Sequence, residues 1–188
     1  MRYALDHKAQ THQRIIKEAS ARFRRDGIGA TGLQPLMKAL GLTHGGFYAH
    51  FKSKDDLVEQ ALRFAVDEVK EKTGKVFAME DSLPGFIDLY LSTGHRDNPD
   101  SGCPLPSICA ELGQRDQASL STDEIILHIQ SSFEKALPGE NLQERSITLL
   151  STLVGALVLS RSTQNNELSE QILDSTRARL KREIREVR

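Results

Sequence analysis

Apolar residues recur at helical spacing along most of this 188-residue chain. Ile15, Ile16, Ala19 and Phe23 share one face of a helix predicted from Thr11 to Asp26, and Gly27 follows as a stop. Leu33, Leu36, Met37 and Leu40 then fall at i, i+3, i+4 and i+7, with Gly41 beyond them. The start of this second helix admits two registers. Thr31 and Gln34 form a T-x-x-Q capping box, but Pro35 would then forfeit the first intrahelical bond. With Gly32 as the cap, Pro35 falls on an N–H that is free anyway.

Thr43 suits the N-cap of a short helix through Phe51, on which Phe47 and Phe51 lie four apart on one face. Ser53 caps the next helix, with Asp55 and Asp56 in the first turn where the helix dipole favours acids. That helix carries Leu57, Ala61, Phe64 and Ala65 and is expected to end near Gly74. Asp81-Ser82-Leu83-Pro84 opens another, with Phe86, Ile87, Tyr90 and Leu91. His95 to Gly102 is polar and rich in helix breakers, which predicts a loop. Helices over Pro104 to Gly113, Thr122 to Leu137, Leu142 to Ser162 and Glu167 to Val187 bring the total to about nine. No stretch alternates cleanly over strand length, so the fold class is all-α.

One of these patterns carries chemistry. A helix ending at Leu40, a turn at Gly41-Leu42 and a short helix from Thr43 make a helix-turn-helix pattern. Gly41 can adopt the left-handed conformation that reverses the chain in so few residues. Gly45 and Gly46 each cost about 1 kcal/mol of helix stability against Ala, a sensible cost if the backbone must approach DNA closely. An ordinary helical hairpin with a glycine-rich turn would share the pattern.

Charge separates these readings. The whole chain carries a formal charge of −1, but residues 1–54 hold ten Lys and Arg against three Asp and Glu, a net of +7. Residues 55–188 hold fifteen against twenty-three, a net of −8. Such asymmetry points to a polyanion as the partner of the first part alone. The expected division is therefore 1–54 for a three-helix DNA-binding domain and 55–188 for a helical domain with another task.

Composition removes other classes. Aromatic residues make up 5% and Trp is absent, which argues against a carbohydrate-binding or aromatic-cage surface. Two Cys make no disulfide framework, and Cys103 and Cys109 match no zinc spacing. The longest apolar stretch, Ile147 to Leu159, falls short of the ~18 residues of a membrane span. The charged N-terminus has no apolar signal region, so a cytoplasmic protein with no membrane association is expected. Phosphate loops, metal-ligand spacing and nucleophile elbows are missing, so neither an enzyme nor a cofactor or metal is expected.

The run from Thr43 to Leu57, ending Phe51-x-Ser53-Lys54-x-x-Leu57, resembles the TetR-family signature, a short recognition helix followed by F-x-S-K-x-x-L. Ile15, Ile16, Ala19, Phe23, Gly27, Thr31 and Leu40-Gly41-Leu42 fit the rest of that family's DNA-binding domain. The resemblance is specific over about residues 9–60; beyond them it rests on helix number and length. It implies a transcriptional regulator, usually a repressor, that binds a palindromic double-stranded DNA operator as a homodimer and is released by a small-molecule or electrophile signal. By position, Thr43, His44, Gly45, Tyr48 and His50 would face bases or phosphates, with Thr31 and Lys54 holding phosphates and Phe47 and Phe51 in the core. Many members carry Lys where this chain has His44, which removes a contact or makes it pH-dependent.

The same resemblance implies dimerisation through the last two helices. Ile147 to Leu159 is apolar nearly all round and must be buried on more than one side, and Ser151 and Gly155 would permit close helix approach. Leu168, Ile172, Leu180, Ile184 and Val187 form a stripe on the final helix. Phe64, Phe86, Tyr90, Ile108, Leu112, Ile129 and Phe133 lie on helices that would surround an effector pocket, with His95 and His128 as possible polar groups. Pro104 as a first helical residue would put Cys103 at the N-cap, where the dipole lowers a thiol pKa and suits it to sense electrophiles or oxidants. Two alternatives remain at this point: an architectural DNA-binding protein without effector, and a Cys-based hydrolase.

Overall fold

Pro35 decides how the second helix begins. In the computed structural model, which describes residues 2–186 and side chains from His7 onward, α2 runs Leu33–Ala39 with Gly32 as its N-cap. The Leu36 N–H reaches the Gly32 carbonyl at 3.2 Å, so Pro35 sits where no N–H is needed. Thr31 is left to tie down the preceding turn, its hydroxyl donating to the Gly27 carbonyl at 2.7 Å.

Every regular element among the described residues is helical. Before α2 lies α1 (Arg2–Asp26), which begins nine residues earlier than the apolar spacing predicts. A 3₁₀ helix (His44–Ala49) follows α2, and then α3 (Lys54–Phe77), α4 (Ser82–Tyr90), α5 (Thr93–Asp97), α6 (Leu105–Gln114), α7 (Leu120–Ala136), α8 (Leu142–Ser162) and α9 (Asn166–Glu186). Gly74 does not end α3; it stands exposed within the last turn, where lost helix propensity is its only cost. Val187 of the expected final stripe lies outside the described residues.

Two apolar clusters organise these helices. The first packs Ile15, Ala19 and Phe23 of α1 against Leu36, Met37, Phe47, Phe51 and Leu57, and α6 completes it with Ile108 and Leu112. The second gathers α4, α7, α8 and α9 around Phe86, Ile129, Phe133, Leu153 and Leu157. Helix α3, about 36 Å long at 1.5 Å per residue, belongs to both. Leu57, Ala61 and Leu62 enter the first cluster, and Val66 and Val69 the second. A rigid rod and a short cross-helix thus join the basic N-terminal region to the rest.

Two segments depart from expectation. His95 to Gly102 is not a plain loop: α5 occupies its first part and a 3₁₀ turn (Pro99–Ser101) the second. The Ser92 hydroxyl caps α5 by accepting the His95 N–H at 3.0 Å. Helix α6 begins at Leu105 with Pro104 as its cap, and the Ile108 N–H bonds the Pro104 carbonyl at 3.0 Å, so Cys103 lies one residue outside the helix. Helix α8 keeps its predicted bounds and is long and apolar enough to cross a bilayer. Leu149, Leu150, Leu153, Ala156 and Leu157 use that apolar character in the second core. Its opposite face is bare, with Ile147, Val158 and Leu159 exposed.

Candidate DNA interface and effector cavity

The turn between α2 and the 3₁₀ helix is built around Gly41, whose φ of +73° is the left-handed value expected of it. The Leu42 N–H bonds the Met37 carbonyl at 2.9 Å, and the Arg14 guanidinium reaches the Leu40 carbonyl from α1. Thr43 caps the 3₁₀ helix as predicted, its hydroxyl accepting the Gly46 N–H at 3.2 Å. Phe47 is fully buried beneath this helix and stacks on Phe51 at 5.3 Å. The opposite edge faces outward: Thr43, His44 and Gly45 are exposed, and Tyr48 is 61% exposed. A Cβ at Gly45 would meet nothing within 4 Å, and its φ is not positive, so nothing inside the fold requires glycine there.

The next helix start is locked reciprocally. The Ser53 hydroxyl accepts the Asp56 N–H at 3.1 Å, while the Asp56 carboxylate accepts the Lys52 N–H at 2.8 Å. Bonds from the Lys52 N–H and then from Gln60 hold the Asp56 carboxyl below the usual range. This sets Lys54 on the first turn of α3, half-buried.

Two expected contact residues turn inward. Thr31 is only 4% exposed and its hydroxyl proton belongs to the Gly27 carbonyl. His50 is half-buried, 6.0 Å from the His12 ring, with its Nδ1 buried and unbonded. Burial, and then the nearby His12 and Lys8, push its pKa below 6.5. Exposed Lys38 on α2 and Lys52 before α3 were counted only as charge in the sequence, because periodicity cannot say which basic side chains share a face.

A second site lies between α1, α3, α4 and the α5–α6 segment, where a cavity of about 430 Å³ opens. Phe86, Tyr90, Cys103 and Ile129 line it, as expected of pocket residues. The others do not. Phe64, Ile108 and Leu112 pack in the first core, and Phe133 is fully buried in the second. His128 stands one residue back, bonded at 2.7 Å to Thr73, which does line the cavity. The apolar spacing that marked these residues shows only that a helix face is buried, not against which core.

The polar end of the cavity draws on residues that spacing does not mark. Arg24, 3% exposed on α1, donates to Glu68 of α3 at 2.6 Å and to the Gly102 carbonyl at 3.2 Å. His95 bonds the Tyr90 carbonyl through Nδ1 at 2.7 Å and accepts the Cys103 N–H on Nε2 at 3.0 Å, which makes it a neutral Nδ1–H tautomer.

The thiols correct the sensor reading. Burial raises the Cys103 pKa, outweighing the helix start beyond it and the cations Arg161 and Arg24. The residue has some surface on the cavity, yet desolvation dominates at the depth of its sulfur. Burial likewise pushes Cys109 up to about 11. Both shifts run away from the thiolate, and Cys103 stands outside the Pro104 cap of α6. Among the described residues, no three His, Cys, Asp or Glu gather where they could hold a metal ion.

The model for bacterial regulatory proteins of the tetR family matches residues 15–61, the segment that contains the capped turn and the 3₁₀ helix. Over those residues the chain is similar to the TetR family. Among helix-turn-helix-type transcriptional regulators, TtgR of Pseudomonas putida is 29% identical over 166 residues, 79% of each chain. YfiR of Bacillus subtilis, a helix-turn-helix regulator, is 25% identical over 103 residues, covering 53% of this chain and 50% of that one. The chain thus spans about half the length of this curated relative. The fold continues further: a TetR transcriptional regulator from Chloroflexus aurantiacus superposes with a TM-score of 0.74 at 22% identity, over 96% of this chain and 94% of that one.

Three half-buried histidines predict how stability falls on the acid side. His50, His95 and His128 all have pKa values pushed below 6.5, first by burial. The native state keeps them neutral while the unfolded chain takes up protons near 6.5, so stability present above that pH falls as pH drops through it. His95 alone would cost up to ~1.4 kcal/mol per pH unit over that window. Melting followed by circular dichroism should show a temperature lower by about 2–4 °C for each kcal/mol lost. His95→Gln should flatten the decline between about pH 7 and pH 5.5; an unchanged slope would show that His95 does not contribute.

Proposed function

We infer that this protein is a DNA-binding transcriptional regulator, most simply a repressor, acting in the cytoplasm as a homodimer on a palindromic operator. The observation that carries the reading is the exposed edge from Thr43 to Tyr48, held by a fully buried Phe47 and sited in the region of net charge +7. Thr43, His44, Gly45 and Tyr48 are the residues proposed to read bases in the major groove. Lys54 would hold a flanking phosphate, and Thr31 would act from inside by fixing the turn before α2. His50, facing His12, would act by supporting the helix from behind.

So short a helix reads few base pairs, and two copies are needed for specificity. The bare face of α8, with Ile147, Val158 and Leu159 exposed beside Ser151 and Gly155, supports pairing through α8 and α9. Residues 1–54 would form the DNA-binding part and 55–188 the effector and dimer part, with Leu57 to Leu62 of α3 shared between them. A non-covalent small molecule in the 430 Å³ cavity would be the signal, because both thiols are shifted away from reactivity. The cavity also favours a regulator over an architectural protein without effector.

Fluorescence anisotropy on DNA flanking the protein's own gene, beside scrambled DNA, tests the reading. A preference above ~10³ and a steep salt slope are expected. Val158→Glu should yield monomers in analytical ultracentrifugation and lose about a hundredfold in affinity through lost bivalency. Equal weak binding to both DNAs, or a Val158→Glu dimer of full affinity, would overturn the respective parts.

A further inference from the structure

The cavity at the α1–α3–α4 junction is about 430 Å³, within the range that encloses a drug-sized molecule. Its long wall is apolar, made by Val69, Phe86, Leu89 and Ile129. Its polar end is unbalanced, because nearly every acceptor there is already used. Glu68, the one acid on the wall, is paired with Arg24 at 2.6 Å. His95 Nε2 is taken by the Cys103 N–H, and the Ser92 hydroxyl accepts the His95 N–H while donating to the Leu89 carbonyl.

Donors are in surplus. Lys72 gives one N–H to the Ser101 carbonyl at 2.6 Å and has two more. Tyr90 lines the cavity and is 4% exposed; its hydroxyl leans on the Cys103 thiol, a poor acceptor, and makes no hydrogen bond of good geometry. Behind this wall Arg161 binds the carbonyls of His95 and Arg96, and its Nη1 is buried without an acceptor. Two cations, Arg24 and Lys72, thus line a site with one acid, Glu68, while Arg161 stands behind the wall near Asp97. His95, pushed down first by burial, is pushed further by the charges of Arg161 and Lys72.

We propose that this cavity binds an organic carboxylate, its acid head against Lys72 and Arg24 and its aryl or alkyl body along Val69, Phe86, Leu89 and Ile129. Charge-assisted bonds of this kind are roughly twice as strong as neutral ones. An ammonium head would face Lys72 and an Arg24 already paired with Glu68, and a neutral amide would forgo the charge assistance. The assignment deepens the regulator reading and rests on the cavity being its effector site. Arg24 gives it a route to the DNA-binding region: an acid that draws on this α1 side chain competes with Glu68 and the Gly102 carbonyl for it.

Isothermal titration of the full chain with phenylbutyrate, phenylbutyramide and phenylbutylamine tests the proposal. Phenylbutyrate should bind at least about tenfold tighter than the amide, with the amine weakest. Lys72→Gln should erase most of that preference, whereas Lys75→Gln, which loses an exposed pair with Glu71, should leave it intact. Leu89→Trp should weaken the acid by filling the cavity mouth, where Leu89 is 58% exposed. An amide or amine that binds as well as the acid, no binding by the acid, or an unaffected Lys72→Gln would overturn it. The titration is run without DNA, so its failure leaves the operator-binding reading standing, and loss of operator binding leaves the titration result standing.

Discussion

Phe47→Ala should abolish specific DNA binding while the second apolar cluster stays folded. Phe47 is fully buried, stacked on Phe51 and edge-on to Tyr48 at 5.2 Å, so it sets the height and tilt of the exposed edge above it. Truncating a buried Phe costs about 3–5 kcal/mol in lost transfer energy and cavity formation. That is a large share of the 5–15 kcal/mol typical of a whole domain. Early melting of the N-terminal helices is expected by circular dichroism, with amide exchange rising across residues 15–62 ahead of α7 to α9. Tyr48→Ala is the companion test. Tyr48 is 61% exposed, so its loss should change stability by less than ~0.5 kcal/mol yet weaken operator binding if the ring meets DNA. A Phe47→Ala protein with wild-type melting and wild-type operator affinity would refute this account of the core.

The second large effect is expected at a residue far from DNA in sequence. Glu111 on α6 accepts the Ile28 N–H on one oxygen and the Gly29 N–H on the other, each at 2.6 Å, and is itself held by Arg115. It therefore clamps the backbone of the turn between α1 and α2 from across the molecule. The other end of α6 begins two residues after Cys103, which lines the cavity, so one ten-residue helix runs from beside the cavity to this turn. Bonds to a charged acceptor contribute about 1.5–3 kcal/mol each, and exposure of Gly29 and Arg115 reduces this to about 2 kcal/mol for the pair. Glu111→Ala should lower the melting temperature by about 4–8 °C and speed hydrogen exchange at the Ile28 and Gly29 amides. It should also weaken operator binding, since α2 is no longer held. Glu111→Gln, which keeps the shape without the charge, should fall between. Unchanged protection at both amides would show that the clamp is idle in solution.

Much of this molecule is legible in its helix boundaries because those are decided locally. Thr43 and Ser53 cap the helices they were expected to cap, and α8 keeps its bounds, since a cap needs only a hydroxyl and an N–H three residues on. Pro35 left two registers open, and the fold takes the one capped by Gly32, where the proline needs no N–H and Leu36 and Met37 are fully buried.

Other features depend on partners far along the chain. His95 to Gly102 reads as a loop, yet its carbonyls find donors in three distant cations: Arg161 for His95 and Arg96, Lys72 for Ser101, and Arg24 for Gly102. No local pattern announces such partners. Cys103 had the sequence of an activated thiol but the depth of an inert one, because desolvation is a property of the surroundings rather than of neighbours in the chain.

By itself, then, the sequence determined the all-helical class, the capped turn that presents residues 43–48 and the positive charge beneath it, since each depends on near neighbours or on counting. The tertiary structure alone decided which apolar stripe joined which core, that Phe64, Ile108 and Leu112 leave the cavity while Arg24 and Lys72 enter it, and that Glu111 grips the turn before α2. These are choices between equally apolar or equally charged residues, and only long-range packing distinguishes them.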